Sequence, residues 1–124
     1  MDISIVIPAY NEAESLPELL QRIETSIGPL QKTHEIIVVD DGSSDDTLKV
    51  LKNLREKYRA LKVISFRKNY GKSAALSEAF KMVKGEWVIT MDADLQDDPA
   101  EIPNLLAKLE TDKLDLVSGW KKKR

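Results

Sequence analysis

The sequence IIVVDDGS, at residues 36–43, runs four consecutive β-branched residues directly into two aspartates, a glycine and a serine. Such a continuous apolar run is typical of a strand that is covered on both faces of a parallel sheet. The glycine and serine that follow are typical of a tight turn. The segment therefore predicts a buried strand whose carboxyl end carries acidic side chains.

Four other short apolar runs surround this one and also predict strands; they lie at residues 3–7, 61–66, 87–91 and 114–117. Between the runs, apolar residues recur at the spacing of one helix face. These stripes are Leu16, Leu19, Leu20, Ile23 and Ile27; Thr47, Leu51, Leu54 and Tyr58; Leu76, Ala79, Phe80 and Val83; and Ile102, Leu105, Leu106 and Leu109. The alternation predicts an α/β fold with a mostly parallel sheet and helices on both faces.

Local signals predict the ends of two helices. Asp98 precedes Pro99, which predicts an N-cap followed by a proline at the first helical position. Pro103 predicts an irregular first turn in the same helix. Gly85 follows the third stripe, where a left-handed C-cap is expected.

Composition excludes several classes of protein. The 124 residues, of which 42% are hydrophobic and 32% charged, predict one compact folded unit. The net charge of −2 argues against nucleic-acid binding, and the absence of cysteine excludes disulfides, thiolate zinc sites and a cysteine nucleophile. No apolar run approaches the roughly 18 to 20 residues of a membrane span, and the start lacks the basic segment of a signal peptide, so a cytoplasmic chain is expected.

Polar residues follow each of the first four predicted strands. These segments are PAYNE at 8–12, DDGSSDD at 40–46, RKNYGK at 67–72 and DADLQDD at 92–98. Ligands of open α/β sheets bind beyond the carboxyl ends of the strands, so a site is expected where these segments converge.

Asp92 and Asp94 are the strongest candidates for a metal site. If the chain stays extended there, side chains two residues apart point to the same side. Oxygen ligands without histidine or cysteine suit Mg²⁺ or Mn²⁺, which bridges to substrate phosphates and so implies a nucleoside diphosphate. The alternative is a solvated acidic turn, which accounts well for Asp97 and Asp98.

Three other residues are candidates for nucleotide binding, and two of them, Tyr10 and Lys72, have an alternative role. Asp41 stands where a nucleotide-binding fold places an acid on a ribose hydroxyl. Tyr10 could stack on a base or pack within its loop. Lys72 could neutralise phosphates or be solvated.

Familiar nucleotide and calcium motifs are excluded by inspection. The first loop lacks the Gly-x-Gly-x-x-Gly of dinucleotide-binding folds. The sequence GKS at 71–73 resembles the end of a P-loop, but Phe66 stands where its first glycine is required. Asp97 stands where an EF-hand loop requires glycine.

Four segments together resemble the family 2 glycosyltransferases: IVIPAYNE at 5–12, VVDDGS at 38–43, NYGK at 69–72 and MDADLQDDP at 91–99. The LQDDP at 95–99, followed by GW at 119–120, makes the chain most similar to the polyprenyl-phosphate branch, the dolichol-phosphate mannose synthase type. The resemblance implies a GT-A fold, Mg²⁺ or Mn²⁺ as cofactor, and inverting transfer of a sugar from a UDP- or GDP-sugar to a lipid phosphate.

The resemblance also implies roles for individual residues. Asp92 and Asp94 would be catalytic and, with Gln96, would surround the metal. The nucleotide sugar would be bound by Pro8, Tyr10, Glu12, Val39, Asp41, Lys72, Ala93, Gln96 and Lys121. Lys121 stands where this branch commonly has an arginine, and lysine keeps the charge without the bidentate geometry.

Members of the family continue well past this length, so residues 1–124 are expected to be the nucleotide-sugar-binding part of a truncated GT-A domain. The full-length protein is expected at the cytoplasmic face of a membrane, where its lipid acceptor lies. The principal alternative is a nucleotide-sugar-binding module without turnover. A nucleotidyltransferase is disfavoured because its first loop is usually glycine-rich, and a receiver domain needs an acidic pair after the first strand.

Overall fold

The computed structural model describes residues 1–112 and the strand at 116–117. Its strands are β1 (Ile3–Ala9), β2 (His34–Asp40), β3 (Leu61–Ser65), β4 (Trp87–Thr90) and β5 (Leu116–Val117), and its helices are α1 (Leu16–Ile27), α2 (Thr47–Lys57), α3 (Lys72–Phe80) and α4 (Ile102–Asp112). The strands form one sheet in the order β3-β2-β1-β4-β5, and all four pairings are parallel. The chain moves outward from β1 to β3 and then crosses back to β4, so β1 and β4 flank the point where the strand order reverses.

Alternate residues of the strands face two separate layers of helices. Ile5 lies opposite Ile36 and Ile89, and these three pack into a cluster with α1, α2 and α4. The next residues along, including Val6 and Ile37, pack against α3 on the other face. Alternate residues of β1 and β2 are thus buried against helices on opposite faces of the sheet. This confirms the predicted α/β fold with helices on both faces.

The first predicted helical stripe is confirmed completely. All five of its residues lie in α1 and are at most 1% exposed. The third stripe is partly wrong, because Ala75 and Ala79 are the buried residues of α3 while Phe80 is 38% exposed. Small side chains on this face bring the helix close to Val6 and Ile37, whereas a phenylalanine there would hold it away.

Gly85 is not a helix cap as predicted. Helix α3 ends at Phe80, and Gly85 instead passes directly beside β1. A Cβ atom at Gly85 would lie 2.5 Å from the backbone nitrogen of Ser4, so the position needs glycine for close approach and not for a left-handed turn.

The signals before the last helix are confirmed. The Asp98 side chain accepts a hydrogen bond from the backbone N–H of Ala100, at 3.0 Å, and Pro99 opens a 3₁₀ turn that leads into α4. Pro103 falls in the first turn of α4, where no helical hydrogen bond requires its missing N–H. Within the part of the chain that the structure describes, no helix is long and apolar enough to cross a membrane.

Candidate functional site

A cavity of about 360 Å³ opens at the carboxyl edge of the sheet, where β1 and β4 diverge. It is lined by Pro8, Ala9, Tyr10, Glu12, Asp41, Asn69, Gly71, Lys72, Asp92, Ala93 and Asp94. These residues come from all four polar segments: loop 1 (residues 8–15), loop 2 (41–46), loop 3 (66–72) and loop 4 (91–98). The reversal of strand order leaves a crevice beside β1, and side chains of these loops line it.

The cavity contains most of the residues expected to bind a nucleotide sugar, but not all of them. Val39 is fully buried in the core beside α3, and Gln96 is exposed outside the cavity lining. Lys121 lies outside the described residues, as do Gly119 and Trp120. The roles assigned to these residues remain predictions.

Asp41 joins loop 2 to loop 3. Its carboxylate is 4% exposed and accepts hydrogen bonds from the backbone N–H groups of Tyr70 and Gly71, at 2.8 and 3.0 Å, and from Asn69 Nδ2 at 3.2 Å. One side chain therefore both lines the cavity and holds three consecutive residues of its wall. Sequence reasoning did not anticipate Asn69 as its partner, because the two residues are 28 positions apart.

Loops 1 and 2 are held together by Asn11. Its Oδ1 accepts from the backbone N–H groups of Ser44 and Asp45, at 2.8 and 3.3 Å, while its own N–H donates to Ser43 Oγ at 2.9 Å. Its φ of 55° is left-handed, a conformation that asparagine adopts more readily than most residues. An asparagine in a strand-end loop was the available signal for this role.

Asp92 and Asp94 both line the cavity, although the chain between them is not extended as predicted. Strand β4 ends at Thr90, and Leu95 has a left-handed φ of 67°, so residues 92–94 form an acidic turn. Asp94 Oδ1 accepts from the backbone N–H of Gln96 at 3.1 Å. Asp92 Oδ1 accepts from Lys72 Nζ at 3.0 Å, so the cation of loop 3 faces the acidic turn across the cavity.

Asp97 differs from its predicted role as a solvated turn acid. It is 3% exposed, and its Oδ2 accepts from the backbone N–H of Asp92 at 3.1 Å. Only the next residue, Asp98, caps the following helix as expected. The difference arises because the left-handed residue at 95 turns the chain back on itself, which directs Asp97 inward.

The donor set at the acidic turn fits a divalent cation. The described residues form no group of three histidine, cysteine, aspartate or glutamate side chains that could hold a metal by themselves. Two carboxylates are nevertheless what Mg²⁺ commonly takes from a protein, because water and substrate phosphates complete its coordination. A cation at Asp92 and Asp94 would thus be held more tightly when a bound diphosphate completes its coordination.

Glu12 lies among several acidic side chains. Burial raises the pKa of its carboxyl, the hydrogen bond from Ser15 lowers it, and the negative charges of Asp94, Asp45 and Asp92 raise it. The net shift is upward, with burial as its largest cause and the three acids adding to it. The carboxylates around the cavity favour the binding of positive charge there.

Comparisons with known proteins agree with this geometry. The model of the family described as Glycosyl transferase family 2 matches residues 4–124. The chain is 48% identical over 109 residues to an undecaprenyl-phosphate 4-deoxy-4-formamido-L-arabinose transferase of Pseudomonas savastanoi pv. phaseolicola, covering 87% of this chain and 32% of that protein. It is 36% identical to a dodecaprenyl-phosphate galacturonate synthase of Rhizobium johnstonii, covering 100% of this chain and 37% of that protein.

A solved structure adds the fold. The mannosyltransferase PcManGT of Pyrobaculum calidifontis, in complex with GDP-Man and Mn²⁺, superposes with a TM-score of 0.77 at 30% identity, over 86% of this chain and 32% of that one. The sheet and its helices therefore belong to the GT-A fold, as the resemblance implied.

The chain belongs to glycosyl transferase family 2, since the family model covers nearly all of it. The curated relatives are named as enzymes that use polyprenyl phosphates. The chain spans about a third of their length.

Proposed function

We propose that the cavity binds a UDP- or GDP-sugar together with Mg²⁺ or Mn²⁺, and that the whole protein transfers the sugar, with inversion, to a polyprenyl phosphate. The observation that carries this proposal is the convergence of Asp92, Asp94 and Lys72 at one cavity beside the reversal of strand order. Residues 1–124 would be the nucleotide-sugar-binding part of the enzyme.

Each wall of the cavity has a part in donor binding. Asp92 and Asp94 would hold the cation on the diphosphate, and Gln96 would approach it after a small movement of the exposed turn. Tyr10 is 47% exposed at the rim and offers a ring on which a base can stack. Asp41 would contact the ribose through the lone pair of Oδ1 that its bonds to loop 3 leave free.

The chemistry follows from charge. A departing nucleoside diphosphate gains negative charge as its bond to the sugar breaks. When bound, the divalent cation supplies positive charge to that leaving group. Lys72 adds a second cation from loop 3, while the carboxylates of the acidic turn fix the position of the diphosphate.

The acceptor needs no general base in this proposal. A lipid phosphate is already anionic at neutral pH, so its oxygen can attack the anomeric carbon directly. Attack from the face opposite the leaving diphosphate inverts the configuration. The relatives' named polyprenyl-phosphate substrates support this acceptor, and a lipid acceptor in turn requires the full-length protein to work at a membrane surface, which we place on the cytoplasmic side.

Binding without turnover is the alternative, and the named relatives favour transfer because all are transferases or synthases. The first test is thermal unfolding with a panel of UDP- and GDP-sugars, with and without Mn²⁺. A ligand at about 100 times its Kd should stabilise the protein by roughly 2.7 kcal/mol, and only when the metal is present. No stabilisation by any nucleotide sugar would refute donor binding.

A substitution of Asp94 tests whether the metal-dependent stabilisation arises at the acidic turn. Asp94→Ala should abolish the metal-dependent stabilisation, whereas Glu56→Ala, on the exposed face of α2, should leave it unchanged. Transfer itself is tested with the full-length protein by following a radiolabelled sugar into the lipid phase with a polyprenyl phosphate. Donor binding without lipid product would favour the binding-only alternative.

A further inference from the structure

We propose that Ser15 and Asp97 are positioning residues that hold the acidic turn in the shape needed to bind a cation. The inference rests on the proposed function, because it assigns a cation to Asp92 and Asp94. Neither Ser15 nor Asp97 lines the cavity, so neither would touch the donor.

Ser15 occupies the N-cap position of α1 but does not cap it. Its side chain makes no hydrogen bond to the first turn of the helix, and the usual donor at the second helical position is absent because that residue is Pro17. The hydroxyl instead donates to the carbonyl oxygen of Ala93 at 2.6 Å. Its other neighbours, the carbonyl oxygen and Oε1 of Glu12, lie farther away at 3.3 and 3.2 Å.

A hydroxyl carries one proton, which these acceptors share, and the shortest of the contacts, to Ala93, is the strongest. That bond ties the start of α1 to loop 4 across 78 residues of sequence. Ala93 is 2% exposed, so its carbonyl would otherwise be buried away from water. The Ser15 hydroxyl therefore stabilises the acidic turn and does not cap the first turn of α1.

Asp97 holds the other side of the same turn. Its carboxylate is 3% exposed and accepts from the backbone N–H of Asp92. Burying a carboxylate is costly unless it is hydrogen-bonded, and an uncharged residue would be easier to bury. A carboxylate at this buried position therefore points to a role for its hydrogen bond to Asp92. The bond fixes the main chain of Asp92 while its side chain faces Lys72.

Together the two residues restrain both ends of a dipeptide. Asp97 holds the N–H of Asp92, and Ser15 holds the carbonyl of Ala93, so the orientation of the chain entering Asp94 is set from both sides. The Asp94 side chain is exposed and accepts a hydrogen bond from the backbone N–H of Gln96, so the main chain of the turn decides where its oxygens point. Groups that orient metal ligands from outside typically affect metal affinity or activity 10- to 100-fold, in rough terms.

The test replaces each residue and measures both metal binding and the turn itself. Ser15→Ala and Asp97→Ala should each raise the Mn²⁺ concentration that gives half-maximal nucleotide-sugar binding by about tenfold or more. Ser15→Thr, which keeps the hydroxyl, should restore the wild-type midpoint. Ser26→Ala, in the last turn of the same helix and with no described hydrogen bond to the acidic turn, is the matched control and should leave the midpoint unchanged.

Amide hydrogen exchange of the ligand-free protein, read by NMR, supplies a measurement independent of the donor. The Asp92 amide should lose protection in Asp97→Ala, while amides in β1 and β2 keep theirs. Unchanged Mn²⁺ midpoints in both alanine variants, with only a lower melting temperature, would overturn the proposal in favour of a structural role. Wild-type protein that binds no nucleotide sugar would instead refute the proposed function, and the exchange data would still show whether the tie between Asp97 and the Asp92 N–H exists.

Discussion

Lys72 and Asp92 show how a single contact can have opposite effects on two ligands. The lysine is 60% exposed and the aspartate 24%, so their 3.0 Å ion pair is largely solvated and contributes at most about 1 kcal/mol. The pair matters more for its charge at the cavity than for folding. Lys72 attracts an anionic ligand and repels a cation, whereas Asp92 does the reverse.

Lys72→Ala should therefore weaken nucleotide-sugar binding and strengthen binding of the bare metal. Loss of the ammonium removes a charged partner of the diphosphate, for which we expect about a tenfold rise in Kd. It also removes a cation that competes with Mn²⁺ for Asp92, so Mn²⁺ alone should bind roughly two- to fivefold more tightly. Isothermal titration calorimetry with each ligand checks both signs. Lys81→Ala, whose lysine pairs with Glu78 just beyond the same helix, is the control.

Glu35 is a second informative residue, at the opposite edge of the sheet. Its carboxylate is 1% exposed and accepts from Lys62 Nζ at 2.6 Å, Ser4 Oγ at 2.5 Å and the N–H of Lys84 at 2.7 Å. Burial alone would raise the pKa of this carboxyl, but the hydrogen bonds from Lys62, Ser4 and Lys84 and the charge of Lys62 outweigh burial and lower it. The folded state thus prefers the ionised form.

The lowered pKa makes the contribution of Glu35 dependent on pH. Stability from this group is fully present above the unfolded glutamate pKa of about 4.3, and it is lost as the pH falls through the lower folded pKa. Glu35→Ala should cost roughly 3 kcal/mol of unfolding free energy at pH 7. The difference from wild type should shrink steadily below about pH 4. Urea unfolding from pH 7 to pH 3 measures it, and a difference independent of pH would contradict the ionised network.

At the scale of elements, the cavity is an assembly of loops that hold one another. Asn11 ties loop 1 to loop 2, and Asp41 ties loop 2 to loop 3. Gly42 permits this second contact, because its φ is 70° and a Cβ there would lie 2.1 Å from the backbone carbon of Lys68. No real side chain tolerates that distance, so loops 2 and 3 can meet only through glycine.

Gly42→Ala should disrupt both the fold and the site. The left-handed conformation and the clash with loop 3 together should lower the unfolding free energy by roughly 2 to 4 kcal/mol. Nucleotide-sugar binding should weaken as well, because loop 3 carries Lys72 and the partners of Asp41. Gly28→Ala is the control: nothing lies within 4 Å of its added methyl and its φ is −48°, so it should be neutral or slightly stabilising. Denaturant titration and donor binding of the two variants provide the comparison.

At the scale of the whole molecule, the site exists because the strand order reverses beside β1. The parallel sheet brings four strand ends to one edge, and the reversal leaves space between the loops of β1 and β4. Burial and the neighbouring acids Asp94, Asp45 and Asp92 together raise the pKa of Glu12 there. The core that supports them, on both faces of the sheet, is independent of any ligand.

Removal of metal should therefore affect liganded and free protein differently. EDTA should abolish the stabilisation that a nucleotide sugar provides, roughly 2.7 kcal/mol near 100 times Kd, and leave the unfolding of the free protein unchanged. Differential scanning calorimetry with and without donor separates the two cases. A free protein that unfolds more easily in EDTA would mean that the metal is part of the fold instead of the substrate complex.

Much of this organisation could be predicted from residue order. The alternation of apolar runs and helical stripes predicted every strand described and the parallel sheet, because burial on two faces imposes a period that the residues must follow. The strand-end acids predicted where the site lies, and most of the residues named for it line the cavity. Prediction was poorer for α3, where the space left by the sheet, and not the helical period, selected Ala75 over Phe80.

The sequence by itself determined the fold class, the edge of the sheet that carries the site and the family, because these depend on local patterns of burial and on short motifs. Only the tertiary structure decided which polar side chains orient the others. Asp41 with Asn69, Ser15 with Ala93 and the inward turn of Asp97 depend on distances between loops that are far apart in the chain. Hydrogen bonds act over about 3 Å, so their partners are known only once the sheet has brought those loops together.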